Sequence, residues 1–243
     1  MDGRLYIIIP CFNEEACIID TLKDLRRHVP LAHIVIVNDG SADRTSERLR
    51  EFDDPDMTVI DLPFNSGIGV AVQTGLIYAA RHGADCAVKF DSDGQHPAAA
   101  IPAMLAAMDE HDSDLVIGSR FIGHTSGFRS SLMRRAGIRL FRWLCFILTG
   151  QAIADATSGF RAYGASALRF AARYYPSFDY PEPEECVLFL RNHLKVLEIP
   201  CDMSERRGGR SSIRPLSAVY YMLKVSFAMI IVAMRPRIVR SGE

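Results

Sequence analysis

The chain has 243 residues, 49% of them apolar, which suffices for one large α/β domain with a substantial core. Its net charge of −1 argues against a general nucleic-acid binder, so no nucleic-acid partner is expected. The six cysteines (Cys11, Cys17, Cys86, Cys145, Cys186 and Cys201) form no C-x-x-C and read as buried free thiols of a reducing compartment, and the apolar run 5–9, broken at once by Pro10, is too short for a signal peptide.

In chain order, residues 5–9 read as a strand buried on both faces. Asn13 is expected to cap a helix that begins at Glu14 and turns Ile18, Leu22 and Leu25 inward. Residues 34–37 read as a second strand, followed by a loop of turn and capping residues over 38–45 and a helix to about Phe52. A third strand spans 57–62. Gly67-Ile68-Gly69 then opens a helix to Arg81, closed by Gly83; it completes no dinucleotide fingerprint, since position 72 is Val72. A fourth strand covers 85–90, a helix 97–108 and a short strand 115–118. Strands alternating with helices predict a mostly parallel sheet with helices on both faces, and ligands at the carboxyl ends of its strands.

The fourth strand runs into Asp91-Ser92-Asp93-Gly94-Gln95-His96. Alternate residues of an extended chain share a face, so Asp91 and Asp93 can converge, and Gly94 lets the backbone turn back so that Gln95 joins them. Two carboxylates and an amide oxygen suit a hard cation such as Mg²⁺ or Mn²⁺ with sites left for phosphate oxygens. An ordinary polar turn after a strand has the same composition.

Beyond Gly123 the pattern changes. Residues 129–148 read as a helix with Arg135, Arg139 and Arg142 on one face and Ile138, Phe141, Cys145 and Leu148 on the other, either packed or lipid-facing. After 155–163 a helix begins at Ser166. Pro181-Glu182-Pro183-Glu184-Glu185 opens another to about His193. A last strand covers 196–201, and an Arg- and Gly-rich loop 204–214 is of the sort that orders over an anion. Residues 216–234, marginal for a spanning helix, read as an interfacial or partner-bound helix, with a core-packed one as the alternative.

Ile9-Pro10-Cys11-Phe12-Asn13-Glu14-Glu15, Val37-Asn38-Asp39-Gly40-Ser41, Asn65-x-Gly67-x-Gly69, Asp91-Ser92-Asp93-Gly94-Gln95-His96, Gly118-Ser119-Arg120-Phe121 and Ser158-Gly159-Phe160-Arg161 stand in this order. As an ordered set over about residues 4–214 they resemble the family 2 glycosyltransferases of the GT-A fold, in the branch of dolichyl- and polyprenyl-phosphate hexosyltransferases. The resemblance implies a Rossmann-like nucleotide-sugar-binding domain over 1–214 and a membrane-proximal helix and tail over 215–243. It lays the donor nucleotide across Pro10, Phe12, Glu14, Val37 and Asp39, with Asp39 on the base. It makes Asp91, Asp93 and Gln95 the Mg²⁺ or Mn²⁺ site, with Ser92 beside the donor and Asp93 catalytic through the cation. Arg120 is similar to the arginine that meets an acceptor or donor phosphate. Glu184 is the candidate for the sugar hydroxyls, with helix capping as the alternative. Arg206, Gly209 and Ser211 match an R-x-x-G-x-S loop that closes on the diphosphate; where the family pattern continues with Lys this chain has Ser212, and Arg210 or Arg214 is left to substitute.

The reaction implied is direct displacement with inversion, from a UDP- or GDP-sugar to a polyprenyl or dolichyl phosphate at the cytoplasmic membrane face. An ionised phosphate needs no general base, whereas a hydroxyl acceptor does. Asp155 and Glu184 are the candidate bases if the acceptor is a polysaccharide or glycolipid hydroxyl. A nucleotide-sugar-binding protein without turnover is the remaining reading. The membrane surface, or a small membrane-protein partner, is expected to meet the C-terminal helix.

Overall fold

The computed structural model describes residues 4–123, 132–177, 179, 181–203 and 215–238, with backbone alone over 132–135 and 215–218. Seven strands form one sheet: β1 (Leu5–Cys11), β2 (His33–Asn38), β3 (Met57–Asp61), β4 (Cys86–Lys89), β5 (Leu115–Ser119), β6 (Arg161–Gly164) and β7 (Val196–Pro200), in the order β3-β2-β1-β4-β6-β5-β7. All neighbours pair parallel except β6, which runs antiparallel to both β4 and β5. The helices are α1 (Ile18–His28), α2 (Thr45–Glu51), α3 (Ile68–Arg81), α4 (Ile101–Glu110), α5 (Leu132–Thr149), α6 (Ala165–Tyr174), α7 (Glu182–Arg191) and α8 (Pro215–Met234).

The unbroken apolar strands are explained by a core on each face. Ile7, Ile9, Ile34 and Ile36 enter the core that holds α1 and α4, while Tyr6, Ile8, Val35 and Val37 enter the one that holds α3, α5, α6, α7 and part of α8. Both layers are dry enough that all six cysteines are buried and free, as expected; burial pushes the Cys11, Cys86 and Cys186 thiols up to about 12. The alternation in β4 and β6 has one further consequence. Lys89 falls on the same face as Ala87, and Arg161 on the same face as Tyr163, so these two cations lie opposite one another and both turn toward α7.

Two local expectations differ from the structure. Asn13 does not cap α1, which begins at Ile18 after Cys17. Its backbone sits at φ 56°, its amide oxygen accepts the Ala42 N–H at 2.8 Å, and its own N–H goes to Ser41 Oγ at 2.9 Å. The polar residues after β1 are thus spent on lacing that loop to the one after β2. The second difference is β6, for which the sequence reading has no element: the four residues from Arg161 to Gly164 carry little strand propensity, and their pairing with β4 and β5 is a tertiary event.

Candidate active site

Because β4 and β1 are parallel neighbours, the turn after β4 stands beside the turn after β1. Ser92 ties them: its hydroxyl donates to the Pro10 carbonyl at 3.2 Å, and its own carbonyl accepts from Thr21 Oγ1 of α1 at 3.1 Å. Gly94 turns the chain at φ 75°, as expected, and Asp93 accepts the Gln95 N–H at 3.0 Å. His96 holds Asp91 at two points. Its Nδ1 accepts the Asp91 N–H at 3.0 Å, so Nδ1 carries no proton and Nε2 does; Nε2 lies 3.3 Å from Asp91 Oδ2. Burial pushes the His96 pKa down to about 4, against the pull of Asp91, so the ring is neutral near pH 7. It stacks on Phe160, 4.8 Å between centroids, and meets Phe90 edge-on. His96 is therefore a fixed prop for one carboxylate.

Opposite Asp91 stands Gly159. A Cβ there would lie 3.1 Å from Asp91 Oδ2 and 3.3 Å from Lys89 Nζ, so the glycine leaves room at the carboxylate. Beneath it is a cluster of buried charge. Lys89 Nζ donates to Glu182 Oε1, and Arg161 pairs with Glu185, which also accepts from Tyr163 Oη at 3.1 Å. The other Arg161 donors reach the carbonyls of Ser158, Ala156 and Glu182 at 2.8–2.9 Å. Burial works against the charge on Lys89, yet the Glu182 and Asp91 carboxylates outweigh it and hold its pKa above the usual lysine value. Glu182 and Glu185 are three residues apart on α7, on the face that meets the two cations.

Arg120 continues from the end of β5. Its guanidinium binds Asp155 by two bonds of 2.7 Å and Thr157 Oγ1 at 3.0 Å, and its own backbone N–H also goes to Asp155. Its charge feels Asp91 and Glu182 as well, which puts it on the same side of the sheet end. Asp155, fully buried, accepts four hydrogen bonds counting that from Thr157, which leaves it no role as a base.

The remaining expected residues divide. Phe12 is 43% exposed beside the laced loops, and Gln95 is partly exposed. Glu14 is buried, its N–H bonded to Thr45 Oγ1 at 2.9 Å. Asp39 is also buried; its oxygens accept the N–H groups of Ser66 at 2.7 Å and Gly67 at 2.9 Å, at the entry to α3. Val37 packs its side chain into the core near Gly75 of α3, so only its backbone is left for a ligand. Glu184, two residues from Glu182, faces the other way: it is hydrogen-bonded by Ser177 and feels Arg235 and Lys224, while burial pushes its pKa up to about 7. Arg206, Ser211 and the neighbouring Arg210, Ser212 and Arg214 lie outside the described residues.

Lys89, Glu182 and Gly159 are the site residues that sequence reasoning passed over. A lysine inside an apolar strand was itself a signal, because a buried ammonium requires a carboxylate partner. Choosing Glu182 over Glu184 needed the rotation of α7, which sequence does not carry.

Among the described residues no three His, Cys, Asp or Glu side chains form a protein-only metal cage. The donor set suits a cation of another kind, held by one or two carboxylates with diphosphate and water supplying the rest, and Gly159 keeps a side chain from crowding Asp91 Oδ2.

The sequence profile of "Glycosyl transferase family 2" matches residues 6–173. The chain is 30% identical over 214 residues to UDP-N-acetylglucosamine–dolichyl-phosphate N-acetylglucosaminyltransferase of Methanococcus voltae, covering 82% of this chain and 85% of that one. It is 34% identical over 172 residues to undecaprenyl-phosphate mannosyltransferase of Micrococcus luteus, covering 68% of each. Glucosyl-3-phosphoglycerate synthase of Mycobacterium tuberculosis, solved with Mn²⁺, UDP-glucose and phosphoglyceric acid, superposes with a TM-score of 0.69 at 18% identity, over 97% of this chain and 81% of that one. At that identity the likeness speaks for the fold, which is GT-A-like.

Proposed function

The chain belongs to glycosyltransferase family 2 and is a glycosyltransferase, and from that premise we propose that it moves a hexose from a UDP- or GDP-sugar to a polyprenyl phosphate at the cytoplasmic face of a membrane. Relatives named for transfer to dolichyl and undecaprenyl phosphate support the acceptor. The observation that carries it is the fate of the two carboxylates expected to serve a hydroxyl acceptor. Asp155 is saturated by Arg120 and Thr157, and Glu184 is turned toward Ser177. A phosphate oxygen, already ionised, needs neither of them.

Asp91 and Asp93, with Gln95, would hold Mg²⁺ or Mn²⁺, whose chemistry is to offset charge on the departing diphosphate. His96 keeps the Asp91 carboxylate turned to that point. Arg120, locked in place by Asp155, contributes a fixed positive field beside it, with no reorganisation needed as charge develops. Pro10, Phe12, Glu14 and Asp39 line the loops that would take the nucleotide, with Ser92 and the backbone of Val37 beside them. Attack opposite the leaving diphosphate inverts the anomeric centre.

Purified protein, labelled sugar nucleotide and a short-chain polyprenyl phosphate are expected to give an acid-labile lipid product without any saccharide added. Transfer seen only when a saccharide acceptor is supplied would overturn the lipid-phosphate reading.

A further inference from the structure

α5 and α8 lie side by side. Met222 Sδ comes within 3.2 Å of where a Cβ on Gly137 would stand, and Phe141 meets Tyr221 edge-on at 5.9 Å. The contacts join the second turn of α8 to the second and third turns of α5. In chain order α5 follows β5 and α8 follows β7, two strands that end on the active-site side of the sheet. One side of α8 is core: Val225, Met229 and Val232 are buried. The other side is apolar too, and open. Tyr220, Leu223, Phe227, Ile231 and Met234 recur at helical spacing, with Phe227 at 65% and Met234 at 78% exposure. On α5, Trp143, Phe146 and Ile147 are each more than half exposed. A run of large apolar side chains along two adjacent helices exceeds the scattered exposure of an ordinary surface.

From this we infer that α5 and α8 together form a docking surface for an anionic lipid bilayer. Charge selects that occupant. Neither helix contains an aspartate or glutamate, whereas Arg139 and Arg142 are exposed on α5 and Arg235 and Arg237 follow α8, also exposed. Basic residues bordering an apolar face, with a Trp and a Tyr among it, are the chemistry of a helix lying in the headgroup layer. A second copy of the chain would instead bring two acid-free, arginine-bearing faces together. Among the described residues no helix is long and apolar enough to cross a membrane, so the surface lies on the bilayer and does not span it. Docked this way, the part of α8 around Lys224, which pairs with Asp179 just ahead of α7 and its Glu182, stands at the membrane on the side from which a lipid phosphate reaches the site. The choice of a bilayer over a protein groove rests on the lipid-phosphate acceptor proposed above.

The chain has one tryptophan, and Trp143 is on this face, so its emission reports the docking directly. The full chain is mixed with phosphatidylcholine vesicles, with or without phosphatidylglycerol, and spun. It is expected to sediment with the anionic vesicles, with Trp143 emission shifted to the blue and quenched by brominated acyl chains. Leu223→Glu with Phe227→Glu, both exposed, should abolish binding at an unchanged melting temperature. Arg139→Glu and Arg142→Glu should each weaken it by about fivefold or more. Protein that stays in the supernatant, or binds with Trp143 emission unmoved, overturns the surface. So does light scattering that shows a dimer which the glutamate variants dissolve. Transfer to a short, water-soluble prenyl phosphate is read separately: if it persists while vesicle binding is absent, the acceptor reading stands and only the docking surface fails.

Discussion

Glu182 and Glu184 illustrate how two residues of one motif receive opposite assignments from the fold. Glu182 meets Lys89 under the site, whereas Glu184 lies against Ser177 with a pKa raised from 4.5 to about 7. A carboxyl whose folded pKa is raised stabilises the protein fully below pH 4.5, and that contribution is lost as pH rises through about 7. The loss amounts to about 3 kcal/mol at 1.36 kcal/mol per unit. Glu184→Gln should therefore melt with the parent at pH 4.5, melt above it at pH 8, and retain transfer. Equal melting temperatures at both pH values would show that Glu184 is not buried as described. His96 makes a different prediction. His96→Phe keeps the stack on Phe160 but leaves the Asp91 N–H without its acceptor, costing about 1–3 kcal/mol. Its larger effect should fall on Mn²⁺ binding in the presence of nucleotide, since Asp91 loses its prop. Calorimetry that finds the parental Mn²⁺ affinity would reduce His96 to packing.

Lys89 and Arg161 are brought opposite one another by the antiparallel β4–β6 pair, and α7 supplies their two carboxylates. Buried pairs of this kind are destabilising when half removed, by about 3–5 kcal/mol, and nearly neutral when both partners become apolar. Glu182→Leu is thus expected to melt far below the parent, and Lys89→Met with Glu182→Leu to recover most of the loss. A double variant as unstable as the single one would show that the cluster is not a closed set of pairs. The same elements show what was legible beforehand. β1 to β4 and their crossovers could be read because apolar runs such as 7–9, 34–37 and 86–88 put apolar side chains on both faces, the mark of a sheet covered on both sides. The Asp91 turn could be read because a glycine and two carboxylates follow such a strand. β6 could not, because four residues with an arginine among them become a strand only through their neighbours. Nor could the commitment of Asp155 to Arg120, or of Asp39 to Ser66 and Gly67, since these bonds join loops 27–35 residues apart.

At the scale of the molecule, α8 contributes one side to the common core and leaves the other apolar and exposed, as α5 does with Trp143, Phe146 and Ile147. That arrangement would let a transferase without a spanning helix among its described residues meet an acceptor confined to a bilayer. The proposed transfer depends on Asp91 presenting its carboxylate to a cation-bound diphosphate. The direct measurement is titration calorimetry of UDP- and GDP-sugars against the parent and Asp91→Asn, each with Mn²⁺ and with chelator, alongside melting curves. The account predicts that Mn²⁺ strengthens sugar-nucleotide binding to the parent and does nothing for a still-folded Asp91→Asn. A folded Asp91→Asn that gains as much affinity from Mn²⁺ as the parent would contradict it.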